Sequence, residues 1–188
     1  HVQSSYPLVN NFERMQAVIE PIVSMTVAPN IDVSGDIPNE DSQDVQIDAS
    51  NLFEANRFPG LDRVEDQSRI TYGVRTGLYG YGGSRGDIFL GQSFRLSEDD
   101  NPFPEGSGLD EQSSDVVGQI SAYRDNSYSL DYRFQLATDN FSSQRHEVDA
   151  SKKIGTKFTL GTRYMFAKEL EGTDIDESRE QLQASASY

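Results

Sequence analysis

Four arginines, Arg75, Arg95, Arg133 and Arg163, each lie within a run of alternating residues, opposite a face that is apolar or aromatic. A guanidinium presents a planar fork of donors that meets phosphate or carboxylate oxygens two at a time. Four of them on one wet face could line a path for a phosphate-bearing ligand. The plainer reading pairs them with carboxylates on that face, such as Glu20 and Asp131. Catalysis has less to work with. The two histidines are His1, at the chain start, and His146, which shares a face with Val148 and Ala150 rather than with acids. No nucleophile elbow, phosphate loop or metal-binding histidine pair occurs, so no enzyme is expected and no cofactor.

The chain has no cysteine, which removes disulfides, zinc-thiolate sites and thiol nucleophiles together. A net charge of -15 argues against nucleic acid as a partner, because neutralising phosphates needs basic patches and the lysines and arginines are scattered. The acids gather in three long connections, 29–67, 97–115 and 168–179. Their carboxylates could take up calcium or magnesium, but none has the spacing of a calcium loop, so a solvated surface is the simpler reading.

The arginines are positioned by strands. From Arg69, the residues Ile70, Tyr72, Val74, Thr76 and Leu78 fall on one face, with Thr71, Gly73, Arg75 and Gly77 on the other. A period of two belongs to a strand with one apolar and one polar side. The glycine-rich stretch 80–86 turns the chain into a second run, with Ile88, Leu90, Phe94 and Leu96 opposite Gly91, Ser93 and Arg95. The same alternation sets Tyr128, Leu130, Tyr132, Phe134 and Leu136 against Ser129, Asp131, Arg133 and Gln135, and Phe158, Leu160, Thr162, Tyr164 and Phe166 against Lys157, Thr159, Gly161, Arg163 and Met165. Residues 2–9, 17–27, 116–123, 145–150 and 181–188 complete the strand set. Asn10 and Asn11 are expected to turn the first strand into the second; Pro21 either puts that second strand at an edge, on a bulge or under local strain or, the plainer reading, is simply tolerated there.

The expected fold is all-β, an antiparallel up-and-down meander of about nine strands forming part of a transmembrane β-barrel, with residues 1–188 as one barrel segment. The connections carry that reading. From the second strand on they run long, short, long, short, medium, short, long, so every long acidic loop projects from one end, as in outer-membrane barrels. No apolar run is long enough for a membrane-crossing helix, but barrel strands alternate lipid-facing and lumen-facing residues and need none. Tyr72, Phe94, Tyr123, Tyr128, Tyr164, Phe166 and Tyr188 fall near strand ends, where aromatic girdles sit. Within the first long loop Leu52, Phe53, Phe58 and Leu61 are too apolar for a solvated linker and should fold back onto the structure.

Several stretches, Asp36-Ile-Pro-Asn-Glu-Asp-Ser-Gln-Asp, Asn51-Leu-Phe-Glu-Ala-Asn-Arg-Phe-Pro-Gly-Leu-Asp-Arg-Val-Glu, Thr71-Tyr-Gly-Val-Arg, Gly91-Gln-Ser-Phe-Arg and Asn101-Pro-Phe-Pro-Glu-Gly-Ser-Gly-Leu, resemble in kind and order the barrel domain of the LptD (OstA/Imp) family in its alphaproteobacterial form. The likeness runs to about His146-Glu147-Val148. It implies an outer-membrane barrel for lipopolysaccharide assembly in a Gram-negative cell. The implied partners are lipopolysaccharide, an LptE-like lipoprotein plug, membrane lipid and the remainder of an LptD chain. Arg75, Arg95, Arg133 and Arg163 then become lumen-facing contacts for an anionic glycolipid. The chain is short for that family and lacks cysteines for its disulfides, so it reads as an internal section of barrel wall, with any export signal outside it. Taken alone it should be insoluble or need detergent, because its edge strands would be unpaired. A passive porin or adhesin-type barrel is the alternative.

Overall fold

The alternation across residues 69–95 closes into a hairpin with twelve-residue arms, β4 (Arg69–Gly80) and β5 (Ser84–Arg95), in the computed structural model. That structure describes residues 1–28, 46–58, 60, 64–97, 101, 103, 106–125, 127–168 and 178–188. The hairpin turn is tighter than the glycine content of 80–86 suggests. Only 81–83 lie outside strands, with Gly83 at φ +87°, where a side chain would be strained.

The hairpin belongs to a single antiparallel sheet of ten strands. Before it come β1 (Val2–Ser5), β2 (Leu8–Asn11) and β3 (Met15–Thr26); after it come β6 (Val116–Arg124), β7 (Tyr128–Leu136), β8 (Ser143–Ile154), β9 (Phe158–Ala167) and β10 (Arg179–Ser187). Both β1 and β2 pair with β3, so they fill successive stretches of one row, and every later strand pairs with its sequence neighbour. The expected all-β meander is therefore present, with β1/β2 at one side and β10 at the other. Short turns at 12–14, 81–83, 125–127 and 155–157 share one end, and the connections 27–68, 96–115, 137–142 and 168–178 share the other.

Near the start, the turn expected at Asn10 and Asn11 and the edge or bulge reading of Pro21 need correcting, and the proline is simply tolerated. Asn10 and Asn11 lie within β2, facing Ala17 and Gln16, and the turn comes after them. Pro21 is in an interior strand, in unbroken register with β4 opposite Val74. Its carbonyl accepts the Tyr6 N–H (3.1 Å), and in an antiparallel strand a residue's N–H points to the same side as its C=O. The missing donor of Pro21 thus faces the β1/β2 row, which is interrupted at Tyr6 and Pro7. The proline costs the neighbouring strand its continuity while the ladder to β4 stays intact.

Register sorts the side chains onto two faces. One carries Ile19, Thr76, Ile88, Ile120, Tyr132, Val148, Tyr164 and Leu182 as a single cross-strand row. Much of that face is open, with Ile19 51% and Leu182 74% exposed. The opposite face carries Glu20, Arg75, Gln119, Arg133 and Glu147, with Phe89 among them. Tyr123 pairs with Arg85 and donates its hydroxyl to Asp131 (2.7 Å), so it belongs to the polar face and not to an aromatic girdle. The cause is Val117, which is fully buried on that polar face and blurs the alternation of β6.

Candidate functional site

The polar face holds the sequence-predicted arginines in a network set by register. Arg75 and Glu20 are directly opposed and approach to 3.6 Å, and the guanidinium also lies over the Phe89 ring, 5.8 Å from its centre. Arg133 donates to Asp149 (3.1 Å) and approaches Glu147 (3.4 Å), while Arg163 donates to the other oxygen of Asp149 (2.5 Å). Asp149 is therefore shared by two arginines. Asp131 accepts instead from the hydroxyls of Ser121 and Tyr123, both at 2.7 Å. Arg95 is opposite Arg69, and its Nε donates to the Ser97 carbonyl (3.2 Å). The structure thus joins Arg133 and Arg163 through one carboxylate and holds Arg75 and Arg95 apart from them. Arg75 and Arg163 keep more than half of their side-chain surface open.

Over this face fold described parts of the first two long connections, 27–68 and 96–115. Leu52 and Ile47 are fully buried, and with Phe58, Phe103 and Leu109 they pack on Phe89 and Val117 of the sheet, with Phe53 edge-on to Phe89. Each such buried side chain contributes roughly 1.5–3 kcal/mol. Phe58 of the first connection stacks on Phe103 of the second at 4.8 Å, so the two loops form one plug. Leu61 lies outside the described residues, as do 29–45, 98–100 and 169–177.

Beneath the plug is a charge cluster that alternation could not reveal. Glu65, 3% exposed, sits between two buried guanidiniums. Arg57 Nε donates to Glu65 Oε2 (2.9 Å), its second terminal nitrogen meets Oε1, and Arg69 reaches Oε1 at 2.8 Å. Arg57 also donates to Ser93 Oγ (2.9 Å), and Arg69 to the carbonyls of Glu54 and Ala55 (3.2 Å to the latter). These bonds tie the loop backbone to β4 and β5. The only sequence signal is an acid and an arginine four apart at Glu65 and Arg69, a common spacing.

The edge of the second connection carries Asp115, which accepts from Gln135 Nε2 at 2.8 Å. Burial pushes its carboxyl above the usual range; nearby Asp110 and Glu111 add to the rise, while the Gln135 bond opposes it. Among the described residues no group of three acids or histidines could hold a metal ion. His146 meets the Tyr132 hydroxyl at 2.6 Å on the apolar face, and His1 meets the Thr26 hydroxyl at 2.8 Å. What this arrangement offers is a sheet with one open apolar side and one polar, partly plugged side.

A family described as LptD, LPS transport system D, matches residues 1–188. Among curated proteins, the LPS-assembly protein LptD of Thiobacillus denitrificans is 25% identical over 175 residues, which is 92% of this chain and 23% of the relative. That of Nitrosomonas europaea is 27% identical over 166 residues, 87% of this chain and 23% of the relative. The Salmonella typhi protein is 33% identical over 103 residues, 48% of this chain and 13% of the relative. The chain spans less than a quarter of the length of these relatives.

Proposed function

The chain belongs to the LptD family, LPS transport system D, and on that premise we propose that it is a section of an outer-membrane barrel wall serving lipopolysaccharide assembly. The observation that carries this reading is the inversion of an ordinary soluble protein: loops pack their apolar side chains over part of the polar face, and apolar side chains such as Ile19, Val23 and Leu182 stand open on the other. In a bilayer that face meets lipid and the arginine face lines the lumen.

The apolar side chains of β4 to β9 then form the outer wall, and the short turns lie on the periplasmic side with the long connections outside. Arg75, Arg133 and Arg163 present partly open guanidiniums toward the lumen, suited to an anionic glycolipid head group. Arg95, with a backbone carbonyl as its acceptor, has the same task at the loop end. The rest of an LptD chain supplies the remaining strands, and an LptE-like lipoprotein plug occupies the enclosed space.

A photo-crosslinking residue in place of Arg75 or Arg133, in the full-length protein in cells, tests this. Adducts with lipopolysaccharide or with the plug lipoprotein are expected. Adducts with neither, together with steady ion conductance from the purified protein, would replace this reading with a passive porin.

A further inference from the structure

On the apolar face, close to the short-turn end, runs a groove of about 510 Å³ across β6, β7, β8 and β9. It arises from side-chain size. Ala122, Leu130, Ala150 and Thr162 form one cross-strand row, and its two alanines are short beside the row of Ile120, Tyr132, Val148 and Tyr164 that lies above. The next row toward the turns is different in kind. Arg124 faces Tyr128, which faces Lys152, and the Lys152 ammonium lies 5.3 Å from the centre of the Tyr128 ring. An apolar floor thus ends at two cations.

Those cations differ from the arginines of the other face. Arg85, Arg133, Arg145 and Arg163 each pair with a carboxylate, whereas no ion pair involves Arg124 or Lys152 among the described residues. Two unneutralised cations at the rim of an apolar groove, in a chain of net charge -15, are a local inversion of sign. Long basic side chains on a lipid-facing wall extend their charges to the headgroup level, where anionic lipid attracts them.

We propose that this groove is a binding site for an anionic diacyl phospholipid of the periplasmic leaflet. An acyl chain lies over Ala122 and Ala150, and the phosphate is held between Arg124 and Lys152. The placement rests on the membrane orientation given above, in which the short turns are periplasmic. Tyr128, half-exposed beside Lys152, stands at the boundary between chain and headgroup.

The test is native mass spectrometry of the full-length protein in detergent, titrated with phosphatidylglycerol or phosphatidylcholine. The parent should retain phosphatidylglycerol in preference. Replacing both cations, Arg124→Gln with Lys152→Gln, should weaken that retention by about fivefold or more and leave phosphatidylcholine unchanged. Filling the groove with Ala150→Phe should weaken both lipids. Lys153→Gln removes a charge from the same turn but from the polar face, and should change nothing. Equal retention of the two lipids by the parent, or equal losses from Lys153→Gln and the double variant, would overturn the proposal. Reconstitution into liposomes separates the two readings: a protein that fails to insert overturns the barrel assignment, whereas one that inserts but shows no lipid preference overturns only this site.

Discussion

Leu52 occupies the space that a side chain on Gly91 would need: a Cβ built on Gly91 would lie 2.4 Å from Leu52 Cδ2 and 2.9 Å from Phe89 Cζ. Gly91 faces Gly73 across the hairpin, so two adjacent strands leave a bare patch of backbone where the first connection docks. The plug is therefore seated by an absence of side chains as much as by its own apolar residues.

Gly91→Val is expected to lift the plug. Overpacking of this kind costs typically about 1–3 kcal/mol. In the full-length protein the variant should stay in the membrane fraction while the connection before β4 becomes open to protease. A loop that stays protected would mean that Leu52 is not what holds it.

Glu65 is the electrostatic counterpart of Leu52. Glu65→Gln leaves the buried guanidiniums of Arg57 and Arg69 without their counter-charge, and breaking a buried pair in this way costs about 3–5 kcal/mol. Thermal unfolding in detergent should show a large loss of stability. By contrast, Asp149→Asn disturbs pairs that water reaches, and its cost should stay within about 1 kcal/mol. Equal costs from the two substitutions would contradict the burial of the Glu65 cluster.

Asp115 gives a pH dependence of opposite sign to the usual carboxylate. Its folded-state carboxyl is raised, chiefly by burial, so the folded protein takes up a proton at higher pH than the unfolded chain does. Its penalty on folding is fully present above the raised value and is relieved as pH falls toward the ordinary carboxylate range. Asp115→Asn should therefore be at least as stable as the parent at neutral pH, and the gap should narrow on acidification. Thermal unfolding of both proteins from pH 7 to pH 4 checks this.

How much of this was legible in the sequence follows from period. Where one face is mostly apolar and the other mostly polar, as in β4, β7 and β9, the faces and the placement of Arg75, Arg133 and Arg163 can be read from alternation alone. In β6, Val117 packs under the plug and breaks the pattern, so Tyr123 cannot be assigned without a register. The partner of Arg163 is likewise a matter of register, because Asp149 comes from β8. Arg57 and Glu65 lie in a connection with no period, and only the fold brings them to Arg69 and Ser93. Pro21 is tolerated for a reason found in another strand, the break at Tyr6 and Pro7.

The most direct test of the central claim is a nitroxide scan of β7, one position at a time from 128 to 136, in the full-length protein reconstituted in liposomes. Labels at 130, 132 and 134 should collide with oxygen dissolved in the bilayer, whereas labels at 129, 131, 133 and 135 should not. Access that fails to alternate, or alternates with lipid on the side of Asp131 and Arg133, would contradict the assignment of the apolar face to the membrane.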